Sequence, residues 1–317
     1  MSDTLRALDI PVFERLTIIG LGLIGSSIAR AARRTNAAKT IVAADISTAV
    51  CDRVRELGIA DEMTGDLAAA VKDSDCVILC VPVGACGDVA AAIAANLKQG
   101  VIVSDVGSVK GAVVAAMQPH LPPDVHFIPA HPIAGTEHSG PDSGFATLFH
   151  NRWLILTPLE NGDPAATEKL AAFWRAFGSN VETMDVARHD LVLAVTSHLP
   201  HLIAYNIVGT AADLETVTQS EVIKFSASGF RDFTRIAASD PTMWRDVFLN
   251  NRDAVLEMLG RFNEDLAALQ RAIRWGDGEA LFNLFSRTRA IRRSIIEQGQ
   301  DTAAPDFGRH AADETKS

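Results

Sequence analysis

The chain has 317 residues, 48% apolar and 21% charged, a balance that suits a globular protein with room for two separate cores. Its formal charge of −10, with no long basic run, argues against a nucleic-acid surface. The N-terminus up to Glu14 has no charged head followed by an apolar run, so no signal peptide is expected. Nor is any apolar run expected to reach the roughly 18–20 uncharged residues of a membrane helix, and the expected location is cytoplasmic. Cys51, Cys76, Cys80 and Cys86 lack zinc-site spacing and form no disulfide framework, so they are expected to be reduced, with no metal.

Leu16–Gly20 is a short apolar run that flows into Gly20-Leu-Gly-Leu-Ile-Gly25 and then a helical stretch, Ser26–Arg33. Strand, glycine turn, helix and an acid about twenty residues on form the context that gives a GxGxxG run its meaning. Thr40–Asp45 supplies that acid. Gly20 allows the tight turn, Gly22 lets backbone approach a pyrophosphate, and Gly25 permits close helix–strand packing. Leu23 and Ile24 complete the loop, and the helix N-terminus offers N–H groups to phosphate. Asp45 is placed to accept ribose hydroxyls and to repel a 2′-phosphate, which favours NAD over NADP.

The alternation continues. Cys76–Pro82 reads as a strand buried on both faces, with Val81 and Pro82 at its cofactor end. A helix is predicted from Gly87 to Leu97, a strand over Val101–Asp105, and a further helix opening at Val106–Lys110. Asp105 is a cofactor-side candidate, Ser108 a candidate catalytic group or helix N-cap, and Lys110 is assigned to the surface. Val125–Ala130 is predicted as the next strand, delivering His131 to the rim. His131-Pro132 stays extended because the residue before proline avoids the helical region. Ligands bind outside the carboxyl ends of such strands, and every polar candidate falls on that rim. Strands at Trp153–Thr157 and Asn180–Met184 flank a helix around Glu168–Phe177.

From Leu191 only helical patterns remain. Leu191–Val208 is apolar nearly all round and should be buried, with a kink at Pro200. Ser197 and His201 share one face. His198 and His201 could pair on a metal, but no third ligand is placed to complete a site. Asp240-Pro241 starts a helix, and Arg231 and Arg235 suit a carboxylate. Long amphipathic patterns over Arg252–Arg274 and Glu279–Gln298 need a large partner surface, naturally a second copy. The whole reads as an α/β fold. An N-terminal doubly wound, Rossmann-type, mostly parallel sheet is expected over 1–186, an all-α substrate and dimerisation domain over 187–298, and a disordered tail over 299–317.

Five motifs in this order resemble the prephenate/arogenate dehydrogenase family of tyrosine biosynthesis: Gly20–Gly25, Asp105-Val-Gly-Ser-Val-Lys110, His131-Pro-Ile-Ala-Gly-Thr-Glu137, Ser197-His-Leu-Pro-His201, and Gly229–Ile236 with Asp240–Trp244. The resemblance spans Leu16 to Gln298 and implies NAD-dependent oxidative decarboxylation of prephenate, or of arogenate, in a homodimer. It implies that His131 accepts a hydrogen bond or the proton of the ring hydroxyl as hydride leaves, that Ser108 orients His131, and that Arg235 clamps a substrate carboxylate. His201, Ser197 and Trp244 would line the pocket and Glu137 would help gate or position it. A β-hydroxyacid dehydrogenase of similar layout would use a lysine early in its second domain, and none occurs between Lys169 and Lys224. A non-enzymatic NAD sensor would not need His131, Ser108 and Arg235 together.

Overall fold

The computed structural model describes residues 5–136, 138–218 and 227–297, without the side chains of 214–218 and 295–297. The predicted disordered tail lies outside them. The described chain divides into two compact units, one ending at Leu256 and the other starting at Glu257.

The first unit opens with alternating strands and helices: β1 (Phe13–Ile19), α1 (Leu23–Thr35), β2 (Ala38–Ala44), α2 (Thr48–Leu57), β3 (Glu62–Thr64), α3 (Leu67–Ala70), β4 (Cys76–Leu79), α4 (Cys86–Ile93), β5 (Ile102–Asp105), α5 (Lys110–Met117) and β6 (His126–Phe127). The six strands form one parallel sheet in the order β3-β2-β1-β4-β5-β6. The order reverses at β1 and β4, so the crevice of a doubly wound sheet opens outside the glycine turn. Strands β4 and β5 are buried throughout, because helices cover both faces. Strand β3 was not expected. It is three residues long, and its exposed or half-buried side chains give no apolar run to read.

The later strands depart from expectation. Strand β7 (Ala130–Pro132) does not continue β6. It pairs antiparallel with β8 (Trp153–Leu156), which pairs parallel with β9 (Asn180–Thr183), in a separate three-stranded sheet. Helix α6 (Pro164–Ala176) connects β8 to β9 and contributes Leu170, Phe173 and Trp174 to the core beside Phe13 and Ile28. One apolar run, Phe127–Ala130, thus serves two sheets. Pro129 lacks the N–H that a central ladder requires, and the chain changes sheets across it. His131 is therefore within a strand of the small sheet and not at the end of the last parallel strand.

Helix α7 (Val186–Leu193), a π-helical turn (Ala194–His198) and α8 (Leu199–Thr218) follow in one continuous run. Pro200 has no N–H to give, and the Leu199 N–H reaches back to the Ala194 carbonyl. A wide π-helical turn thus stands directly before Pro200, where the kink was expected. No Asp, Glu, Lys or Arg occurs between Leu191 and Ala212, and Val186–Asp213 is long and apolar enough to cross a membrane by length and composition. This corrects the expectation that no stretch would be, since His198 and His201 carry no fixed charge. Nor is the run buried all round: Leu191, Val192, Val195, Ile207 and Val208 are exposed. Helices α9 (Ser228–Thr234) and α10 (Pro241–Asn250) complete the unit, with a 3-10 turn at Arg235–Ala238 between them. Asp240 caps α10 by accepting from the Met243 N–H.

Helix α11 (Arg252–Trp275) begins in the first unit and runs into the second, where α12 (Gly278–Glu297) follows. Ile273, Trp275, Phe282, Phe285 and Ile291 of the second unit are more than half exposed.

Candidate active site

The glycine turn is built as its spacing requires. Gly20 has φ +92°, and a Cβ there would sit 2.5 Å from the Cys80 carbonyl oxygen. A Cβ on Gly25 would fall 2.0 Å from the Gly20 oxygen, whereas one on Gly22 would meet nothing within 4 Å. Gly22 thus leaves open the approach that a pyrophosphate needs at the start of α1, and the residues fit a dinucleotide. Asp45 follows β2, with one carboxylate oxygen accepting from the Leu21 N–H at 2.9 Å and the other from the Ser47 N–H at 2.9 Å. Each oxygen keeps a lone pair for a ribose hydroxyl. Val81 and Pro82 follow β4, half-buried and exposed respectively.

His131 is buried, and its Nδ1 lies 2.9 Å from Nε2 of His189 on α7. Nδ1 of His189 lies 2.8 Å from a carboxylate oxygen of Asp190. That carboxylate also accepts the backbone N–H groups of Lys110 and Gly111, each at 2.8 Å, where α5 starts. Burial alone would raise the Asp190 pKa. The His189 bond and the two backbone donors hold it below the ordinary carboxylate range. An ionised carboxylate only accepts, so His189 Nδ1 carries hydrogen. In a neutral pair His189 Nε2 then accepts from His131 Nδ1, and His131 Nε2 is left with its lone pair bare. Burial, then the neighbouring His189 and Lys110, push the His131 pKa well below 6.5. The ring is a neutral base at cellular pH.

The partner expected for His131 was Ser108. The partner of its Nδ1 is instead Nε2 of His189, and Ser108 is half-buried in the turn before α5. Asp105, expected on the cofactor side, is fully buried and ion-paired with Lys110; its carboxylate also accepts the Gly107 N–H at 2.7 Å. Lys110, expected at the surface, is fully buried too. The reason is that β7 crosses beside the end of β5 and covers the turn, which a single continued sheet would have left open.

Other candidates converge on the same turn. Val109 packs with Trp244 and Val247 of α10. The His201 ring stacks on Trp244 with centroids 3.6 Å apart and planes 22° apart, and its Nδ1 lies 2.8 Å from the Ser197 carbonyl. Burial lowers the His201 pKa, and the nearby Arg235 charge lowers it further. His198 is fully buried, its Nδ1 3.0 Å from the Asn251 amide nitrogen, which also donates to the Asp190 carbonyl. Burial takes the His198 pKa down to about 4. Downstream of His131, Phe145 donates its N–H to the Ser27 hydroxyl on α1, and Arg53 forks onto Asp142. The segment leaving the imidazole therefore crosses α1 near the glycine turn. Glu137 lies outside the described residues. Among the described residues no three His, Cys, Asp or Glu side chains come together as metal ligands.

Sequence reading missed His189, Asp190 and Asn251. The signal for His189 was present: it stands four residues before the buried Leu193, on one helical face. Replacing His189 by Phe should lower kcat by about 10- to 100-fold with little change in NAD affinity, read by steady-state kinetics alongside NAD titration. Replacing Asp45 by Ser should shift the NAD/NADP ratio of kcat/KM by on the order of tenfold toward NADP, since a unit charge is lost near the 2′ position. Kinetics with both cofactors measure it.

Two family models match the chain: prephenate dehydrogenase, nucleotide-binding domain, over residues 28–183, and prephenate dehydrogenase, dimerization domain, over residues 185–287. The chain is 44% identical over 284 residues to a cyclohexadienyl dehydrogenase of Zymomonas mobilis, covering 90% of this chain and 97% of the relative. It is 32% identical to a prephenate dehydrogenase of Bacillus subtilis, covering 89% and 76%. The structure superposes on a prephenate dehydrogenase of Aquifex aeolicus, crystallised with hydroxyphenyl propionate and NAD+. The TM-score is 0.83 at 33% identity, covering 92% of this chain and all of that one.

Proposed function

Because the chain belongs to the prephenate dehydrogenase family, we propose that it oxidises prephenate with NAD to 4-hydroxyphenylpyruvate, CO2 and NADH, a step of tyrosine biosynthesis. NAD, when bound, takes up the hydride from the ring carbon that bears the hydroxyl. His131 Nε2 takes the hydroxyl proton as that carbon becomes a carbonyl carbon. The bond from the ring to its carboxylate then breaks, CO2 leaves, and the electron pair aromatises the ring. The proton held on His131 returns to the phenolic oxygen. His189 and Asp190 keep Nε2 bare for the first of these transfers. Arg235 holds a substrate carboxylate, while His201, Ser197 and Trp244 form the wall, and Ser108 faces the reacting end. Residues 1–186 serve the cofactor, and 187–298 serve the substrate and the pairing of two copies. The exposed apolar residues of α7, α8, α11 and α12 support that pairing, and a cytoplasmic location suits the chemistry.

The observation that carries this reading is the buried His131 imidazole, linked through His189 to Asp190 and joined through its own loop to the glycine-turn helix. Arogenate differs from prephenate only in carrying an amino group where prephenate has its side-chain keto group, and the Zymomonas mobilis relative carries the broader name cyclohexadienyl dehydrogenase. It is therefore the second substrate. Absorbance at 340 nm with each substrate and NAD tests the reading. NADH formed from prephenate supports it, and no NADH from either substrate removes it.

A further inference from the structure

We infer that Lys110 is a positioning residue for His131, acting through the backbone of Ala130. The inference rests on His131 being the base proposed above. Ala130 is the first residue of β7, and its N–H and C=O point away from β8 toward the end of β5. There the Lys110 ammonium donates to the Ala130 carbonyl at 2.6 Å and also to Asp105, while the other Asp105 oxygen accepts the Ala130 N–H at 3.4 Å. The ion pair supplies both bonds that a neighbouring strand would have made. All three groups are fully buried.

Such a pair is costly to bury, and apolar side chains of like volume are often as stable, so stability alone is weak reason to keep it. Its geometry offers another reason. The first turn of α5 grips His131 twice. Lys110 and Gly111 N–H groups hold Asp190, and through His189 the ring, while the Lys110 side chain holds the preceding peptide. Lys110 is fully buried behind the imidazole's own strand, and it fixes where Nε2 points.

Two variants test this in the full chain. Asp105→Asn with Lys110→Met removes both buried charges together, and Lys110→Arg keeps a charge but cannot place a single ammonium at both acceptors. In each, kcat with prephenate should fall about 10- to 100-fold, with KM for prephenate and Kd for NAD within about twofold of wild type. NAD binding, followed by tryptophan fluorescence, reports that the site is folded. In a His131→Asn background the same changes should cost nothing further, because the group they position is gone. Full kcat in either variant overturns the inference, as does an equal fold-loss with and without His131. Normal turnover by His131→Asn alone would instead remove the underlying reading, so the two failures are distinguishable.

Discussion

Replacing His131 by Asn is expected to lower kcat by about two to four orders of magnitude, with Kd for NAD unchanged within about twofold. The amide can keep a hydrogen bond to His189 Nε2, so the strand and its neighbours need not rearrange. What disappears is the lone pair on Nε2. The glycine turn is held by the Asp45 carboxylate and the Ala44 carbonyl, which do not depend on the imidazole. In the unchanged protein the same lone pair sets the pH dependence. The His131 pKa is depressed by burial, so the base form persists below 6.5 and activity falls only as pH drops through the lower value. The acid limb of kcat should lie well below pH 6.5. A limb centred at or above 6.5, or an Asn variant with normal turnover, would contradict the role.

Replacing Arg235 by Gln is expected to raise KM for prephenate about 10- to 100-fold, with a smaller effect on kcat. A charge-assisted hydrogen bond to a carboxylate contributes about 1.5–3 kcal/mol, and a guanidinium can make two at once. Arg235 is exposed on the 3-10 turn between α9 and α10, close enough to His201 for its charge to depress that imidazole. It therefore stands near His201, whose ring stacks on Trp244. Its charge should fix the acid rather than the reacting ring carbon, which places the loss in KM. Steady-state kinetics at fixed saturating NAD would show it, and a KM within twofold of wild type would remove the clamp.

The cofactor half was legible because each of its parts leaves a local mark. A glycine that must adopt positive φ, an acid at a strand end and an apolar run for a doubly covered strand can all be read in short windows. His131 was legible as a candidate for a partly mistaken reason. It was assigned to the rim of one sheet, whereas β7 belongs to another, and Asp105 and Lys110 bring that strand to the rim. The inward turn of Lys110 could not be read, because a lysine five residues after an aspartate usually marks a solvated face. Its burial depends on a strand twenty residues away. His189 left a local mark in its spacing from Leu193, but its role beside His131 exists only once α7 has packed beside β7 and α5. Pro200 announced a break, and a wide turn stands directly before it.

The central claim is that His131 is neutral, with hydrogen on Nδ1 and none on Nε2, because Asp190 and His189 arrange it so. Nitrogen-15 NMR of the histidine-labelled protein reads this directly, with the His131→Asn variant supplying the assignment. His131 is expected to show a protonated Nδ1 and a bare Nε2, unchanged from pH 8 down to 6.5. An imidazole protonated on Nε2, or one that gains charge on the way down to 6.5, would contradict it.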